Sequence, residues 1–282
     1  MSIPSHLLEK LTTNISKSEI DGFTLRFEEY RDESILVMLE KIKDDNQVVR
    51  NNAAAVLSQI GDHRIFTQFM TFLEQELKWG SEPYLSRYVR SITRHDPETQ
   101  RLMLAELEKY LEQNPIVPRV DEQKYKNFFT IIDNLWIIRD PYVISMLEKL
   151  ILRPDQLLDI PHRALLALSN IDRERASISL RNFMGLGLSS GKDIGIYTHR
   201  MKVLNIHKKS AEHPDYFSIS VWARDEYRSK ESYYRFKHEN GLVYFVYGGT
   251  DKRFAGQAQN DEDAIQVATE YLAWWLSSIN AI

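Results

Sequence analysis

Residues 48–64, VVRNNAAAVLSQIGDHR, show how the first half of the chain is organised. Their apolar and small side chains recur every three or four positions, which is the spacing of a helix that buries one face. Gly61 is expected to end this helix, because glycine accepts the left-handed conformation that often closes a helix. Asp62 is expected to cap the next helix, since its side chain can accept a hydrogen bond from a free backbone N–H. The stretch therefore predicts a boundary between two packed helices.

The same kind of boundary returns three times along the chain, each time with an aspartate between two apolar helical runs. The boundary aspartates are Asp62, Asp96, Asp140 and Asp172. They lie 34, 44 and 32 residues apart, and in two boundaries a proline follows, as expected at the first position of a helix. The runs between them predict four helical hairpins, at 35–60, 65–93, 99–138 and 142–171. Repeated units of this size are typical of an α-solenoid.

Two of the runs carry a family resemblance. VVRNNAAAVLSQIGD, at 48–62, resembles the second helix of a HEAT repeat of the short bacterial type that is also found in phycobilisome lyases. PHRALLALSNID, at 161–172, is similar in outline. The resemblance covers about residues 32–186. It implies an α-solenoid with a binding surface, and because this fold hosts many functions it implies no particular reaction.

The pattern changes after the Gly/Ser-rich segment GLGLSSGKDIG, at 185–195. Alternating residues predict three strands at 216–223, 233–238 and 242–247, with a hairpin turn at Asn240-Gly241 and a last helix at 262–278. The predicted fold class is thus α+β, with a HEAT-like α-solenoid of about four hairpins followed by a small β3α domain. The expected domains are a solenoid at 1–186, a linker at 187–212 that could hold a short helix or turn, and the β3α domain at 213–282.

Composition excludes several kinds of chemistry. The chain has 282 residues, 43% of them hydrophobic, and no cysteine, so disulfides and thiolate sites are impossible. No histidine spacing suggests a metal site, and no nucleophile or phosphate-loop motif is present, so neither an enzyme nor a cofactor is expected. The net charge of −4 shows no basic excess of the kind that nucleic-acid binding favours. The first residues lack a leader pattern and no run is apolar enough for a bilayer, which predicts a cytoplasmic protein without a membrane segment.

One group of candidate partner-binding residues lies in the second hairpin. Their spacing of three and four places the three arginines on one helical face, with two tyrosines interleaved. The residues are Arg87, Arg90, Arg94, Tyr84 and Tyr88. A phosphate or an acidic partner could bind there, although a solvated basic face has the same pattern. Arg50, by contrast, is expected to pair with the carboxylates of a neighbouring turn.

A second group lies on the predicted sheet. If the core side of the strands carries Phe217, Tyr234 and Phe236, the opposite side carries rings and cations. These candidate partner-binding residues are Trp222, Arg224, Tyr233, Arg235 and Lys237. Such a face could stack bases or hold a peptide. It could equally dock on the last helical repeat.

These patterns favour a non-enzymatic scaffold or adaptor that holds a protein partner on the concave face of a helical-repeat array. The first alternative is a nucleic-acid-binding protein that uses the arginine and aromatic surfaces. The second is a chromophore chaperone similar to a bilin lyase, which the repeat resemblance alone implies.

Overall fold

The computed structural model describes residues 2–77, 80–114, 122–153, 159–184, 203–207, 214–224, 229–247 and 251–278. Contacts divide the chain into two compact units. The first contains residues 1–146 and 155–157, and the second contains residues 147–154 and 158–282. The division falls within one helix, Pro141–Ile151.

The first unit is helical wherever it is described. Its helices are α1 (Ser5–Lys10), α2 (Ile20–Leu25), α3 (Arg31–Lys41), α4 (Gln47–Ile60), α5 (Phe66–Gln75), α6 (Glu82–Ser91), α7 (Pro97–Gln113), α8 (Glu122–Leu135) and the start of α9 (Pro141–Ile151). Short 3-10 turns lie at Glu28–Tyr30, His63–Ile65 and Ile92–Arg94. The hairpins predicted at 35–60, 65–93 and 99–138 correspond to α3–α4, α5–α6 and α7–α8.

The boundary residues act as the sequence predicts. Gly61 ends α4 in the left-handed conformation, with φ +53°. The side chain of Asp62 accepts a hydrogen bond from the backbone N–H of Arg64 at 2.9 Å. Asp96 and Asp140 cap α7 and α9 in the same way, each followed by a proline. Local capping therefore fixes where these helices begin.

Packing in the first unit joins alternate helices. α4 packs on α6, and α6 packs on α8. A series of contacting rings runs through the core, with Phe66 against Tyr88 and Tyr110, and Tyr110 against Phe128 at 5.5 Å. Burial of such large apolar side chains is the main source of stability in a helical unit of this kind.

The N-terminal segment consists of short helical elements. α1 ends at Lys10, and residues 20–30 contain α2 and a 3-10 turn. Phe23 and Phe27 lie on this segment and are buried, with ring centroids 5.2 Å apart. Their spacing of four places both on one side of a helical segment, whereas a strand would not bring them together.

The second unit combines helices and a sheet. Its further elements are α10 (Asp159–Ile171), α11 (Arg173–Phe183), β1 (Val203–His207), β2 (Tyr216–Arg224), β3 (Ser229–Glu239), β4 (Leu242–Tyr247), β5 (Asp251–Gln257) and α12 (Asp261–Ser278). The strands form one antiparallel sheet in the order β1-β2-β3-β4-β5. The hairpin turn at Asn240-Gly241 is confirmed, because both residues have positive φ and Glu239 pairs with Leu242.

The prediction of three strands was wrong, because the sheet has five. β1 occupies part of the segment expected to be a helix or turn, and β5 follows the strand that was expected to end the sheet. Both are edge strands with an irregular register, and β5 contains Gly256 at φ +148°. Apolar and polar residues alternate only weakly in β1 and β5, so the sequence pattern does not predict these strands. Pairing with β2 and β4 specifies them instead. The rest of the expected linker, at 187–202 and 208–212, lies outside the described residues.

Helix α12 explains two adjacent tryptophans. Trp275 packs on the sheet, with its ring 5.8 Å from Tyr234 and 5.2 Å from Phe245. Trp274 points to the other side, against Phe183 of α11 at 5.3 Å. α12 therefore fills the space between one face of the sheet and the helices α10 and α11, which also pack on β5.

Among the helices that the structure describes, none is both long and apolar enough to cross a membrane.

Candidate functional site

The arginines of the second hairpin are largely paired within the first unit. Arg87 donates to Asp21 at 3.0 Å, and Arg94 donates to Glu28 at 3.1 Å. The two acidic residues are seven positions apart, as are the two arginines. Arg90 is exposed and has no ion pair among the described residues. Of the predicted arginine row, only one cation is left for a partner.

The two tyrosines of this group do not form a surface with the arginines. Tyr88 is completely buried between Phe66 and Phe69, which corrects its expected place at a binding surface. Tyr88 lies three residues before the buried Ser91, so the two residues share the face of α6 that points into the core of the hairpin. Tyr84 is half-buried, and burial raises the pKa of its hydroxyl while the nearby Arg87 partly opposes this.

The N-terminal segment covers the surface formed by α4 and α6. The side chain of Asn52 on α4 donates to the backbone oxygens of Leu11 and Thr13, at 2.8 and 2.9 Å. Gln59 donates to Glu28 at 3.3 Å. With the two arginine pairs, these bonds hold residues 11–28 against the second helices of the first two hairpins. Two of the candidate partner-binding residues, Arg87 and Arg94, therefore contact the chain itself.

The boundary after α4 is a structural ion cluster. The Asp62 carboxylate is almost buried and accepts bonds from Arg64 at 2.9 Å and from Arg31 at 3.2 Å. Burial alone would raise the pKa of Asp62, but these hydrogen bonds outweigh it and hold the pKa far below its usual value. Arg50 likewise binds the backbone oxygens of Asp44 and Asp45 in the preceding turn. These groups tie helices together and are not arranged around a ligand.

One face of the sheet in the second unit is covered by α12, and the opposite face is exposed at parts of β1 and β3. Phe217, Ile219 and Phe236 are buried on the covered face, and the half-buried Tyr234 contacts Trp275 of α12 there. This agrees with the predicted alternation of β2 and β3. The neighbouring positions Ser218, Ser220, Tyr233, Arg235 and Lys237 therefore lie on the opposite side, because successive strand residues point to opposite faces. We call that side the outer face.

Rings and cations are in register on the outer face. Ser218 of β2 pairs with His207 of β1 on one side and with Arg235 of β3 on the other. The small Ser220 is completely buried beside Tyr233, its pairing partner. The His207 and Tyr233 rings lie 5.5 Å apart. The two serines thus leave room for these rings to meet over β2.

Tyr233 is the most exposed part of this arrangement. It lies on the central strand of the sheet and is 61% exposed. A hydrogen bond with Glu231 raises the pKa of its hydroxyl, so the phenol stays neutral. The same hydrogen bond anchors the hydroxyl end of the ring. His207 is also exposed. These two rings, which are inclined at 43° to each other, therefore form a platform that is open to solvent on the β1–β3 part of the outer face.

The cations of the outer face are of two kinds. Lys237 donates to Glu239 at 2.7 Å, and this bond raises the pKa of Lys237 and lowers the pKa of Glu239. Lys252 of β5 lies 3.8 Å from the same carboxylate. Arg235 is exposed and lies over the Tyr216 ring at 6.0 Å, with no carboxylate partner among the described residues.

Of the residues predicted for the sheet site, the structure brings Tyr233, Arg235 and Lys237 together. Trp222 and Arg224 are on β2, but their side chains lie outside the described part of the structure. Sequence reasoning missed His207 and Lys252, because each is on an edge strand that was not predicted. The register of those strands was the missing information.

Two other features of the described residues offer no ligand site. No group of three or more histidine, aspartate or glutamate side chains there could hold a metal ion. His162 of α10 is buried among Phe183, Tyr271 and Trp274, and burial lowers its pKa to about 3. This histidine is a neutral member of the core.

Comparison with protein-family models, with curated proteins and with solved structures finds no match to this chain.

Proposed function

We propose that the protein is a non-enzymatic binding protein that holds a protein partner on the outer face of its sheet. The observation that carries this is Tyr233, which is 61% exposed on the central strand beside Arg235, a cation with no carboxylate partner among the described residues. Tyrosine and arginine are the residues that most often dominate protein interfaces, since they offer large contact area together with directional hydrogen bonds. Apolar ring surface that is exposed to water is unfavourable in free energy. A partner that covers the ring would recover that free energy.

The helical part is proposed to be a HEAT-like solenoid. Its support is the packing of α4 on α6 and of α6 on α8, so that second helices of successive hairpins are neighbours. Repeats of this kind bury their apolar faces by stacking, and they commonly serve as rigid binding modules. Because residues 11–28 cover α4 and α6, the proposal places the partner on the sheet rather than on that surface.

A protein partner fits the charges of the outer face better than a nucleic acid does. Among the described side chains of this face, the charges of three cations are offset by the carboxylates of Glu239 and Glu231. The cations are Arg235, Lys237 and Lys252. Surfaces that bind single strands combine stacking rings with a groove of several unpaired cations that follow the backbone. One arginine without a carboxylate partner among the described residues provides little of that attraction.

Site-specific crosslinking tests the proposal. A photo-reactive phenylalanine analogue replaces Tyr233 in the full chain, and the same analogue at Leu36, which is 69% exposed on α3, is the matched control. We expect a discrete protein adduct in native lysate from position 233 alone. Excess unlabelled wild-type chain should suppress this adduct by competing for the partner, whereas an excess of the Arg235→Glu chain should not. Equal adducts at both positions would refute the site. An adduct that nuclease removes would assign the face to nucleic acid instead.

A further inference from the structure

Among the described side chains of the outer face, one cation has no carboxylate partner. Lys237 and Lys252 share the Glu239 carboxylate, and each also lies over a tyrosine ring, Tyr216 at 5.7 Å and Tyr244 at 5.6 Å. Cations held in this way by a carboxylate and a ring are already well paired. They have little to gain from a further anion.

Arg235 shares the Tyr216 ring with Lys237, at 6.0 Å, but it has no carboxylate partner among the described residues. Its neighbours across the sheet are Ser218 on β2 and Val246 on β4, and neither can accept its charge. The side chains two positions away on its own strand are Tyr233 and Lys237. The guanidinium is therefore exposed next to the platform of Tyr233 and His207, with its planar set of donors available.

We propose that Arg235 determines the specificity of the outer face by binding a carboxylate in an acidic segment of the partner protein, while a neighbouring apolar or aromatic side chain of that segment lies on Tyr233 and His207. This inference rests on the proposed function and adds the chemistry of the partner. A guanidinium donates two parallel bonds to a carboxylate, which fixes the direction of the bound segment as well as its charge.

Two considerations support a carboxylate as the group that Arg235 binds. At physiological salt the Debye length is about 8 Å, so the net charge of −4 on the whole chain is largely screened at Arg235 and the local cation decides. Phosphate-binding sites usually assemble a cluster of arginines, whereas the described side chains of this face include a single one. A carboxylate matches that single charge.

Selection from a random library of 12-residue peptides tests the inference. The probe is the library displayed on phage, selected against the immobilised full-length chain and its Tyr233→Ala, Arg235→Lys and Arg235→Glu variants. We expect the wild type to enrich peptides with Asp or Glu beside an aromatic or aliphatic residue. A selected peptide should bind the Arg235→Glu variant about tenfold or more weakly, because a charge-assisted hydrogen bond is lost and a repulsion is added. Arg235→Lys should retain part of the affinity, since it keeps the charge but loses the paired bonds.

The outcomes separate this inference from the proposed function. Peptides that depend on Tyr233 but lack acidic residues, or that bind the Arg235→Glu variant equally well, would overturn the role of Arg235 and leave the binding face intact. Peptides that bind the Tyr233→Ala variant as well as the wild type would overturn both. Unchanged circular dichroism and melting temperature of the variants, expected because both side chains are exposed, confirm that a loss of binding is not a loss of folding.

Discussion

Replacing Gly61 by alanine is predicted to destabilise the first unit strongly. Gly61 ends α4 with φ +53° and ψ +61°, which is the left-handed conformation. A residue with a Cβ pays about 1 to 2 kcal/mol to adopt it, because the Cβ approaches a carbonyl oxygen. An added Cβ would also lie 1.6 Å from the Oγ and 2.7 Å from the Cβ of Ser91, which is buried at the end of α6.

The contact with the Ser91 Cβ sets the size of the effect. Rotation of the serine side chain moves its Oγ but not its Cβ, so α6 itself must shift. Met103 of α7 lies 3.3 Å from the added atom and leaves little room for α4 to move instead. Overpacking of this kind costs about 1 to 3 kcal/mol. The sum of about 2 to 5 kcal/mol is a large part of the about 5 to 15 kcal/mol that stabilises a typical domain.

Urea unfolding followed by far-ultraviolet circular dichroism measures the loss. Hydrogen exchange over α4–α7 assigns it to the first unit, since two units can unfold separately. Ser91→Gly is the matched background, because it removes both clashing atoms and leaves the backbone angle of Gly61 unchanged. There Gly61→Ala should cost only about 1 to 2 kcal/mol. A cost below about 0.5 kcal/mol in the wild type, or the same cost in both backgrounds, would refute the reasoning.

Three further outcomes are expected. Because burial lowers the pKa of His162 to about 3, the unfolded chain binds more protons below pH 6.5, and this histidine removes about 2 kcal/mol of stability between pH 7 and pH 5. Unfolding at both pH values, compared with His162→Gln, checks this, and an equal pH dependence of the two chains would disprove it. Asp62→Asn should lower the free energy of unfolding by about 1 to 2 kcal/mol at pH 7, as measured by urea unfolding. The expected loss is small for an ion cluster because the partners Arg31 and Arg64 are partly exposed to solvent. An unchanged free energy of unfolding would show that the cluster adds no stability. Asn52→Ala should speed hydrogen exchange at residues 2–30 by several-fold and leave α7 and α8 unchanged, whereas uniform acceleration would argue against a local anchor.

Features that depend on neighbours along the chain could be predicted from the sequence. The helix boundaries at Gly61, Asp62 and Asp96 follow from capping within three residues, and α3 to α8 follow from apolar spacing. The Asn240-Gly241 turn and the two faces of β2 and β3 were predicted for the same reason, since a turn type and a period of two are local properties.

Contacts between side chains that are far apart in the sequence could not be predicted in this way, because they form only on folding. Arg87 and Arg94 find their carboxylates 66 residues earlier, and no local pattern shows that they are paired. β1 and β5 exist because β2 and β4 offer unpaired edges, so their pairing and not their own alternation specifies them. The same pairings decide that Glu239 neutralises two lysines and that Arg235 has no carboxylate partner among the described residues. Charge pattern predicts where cations lie on a strand, but which of them remain available is set by contacts that form only on folding.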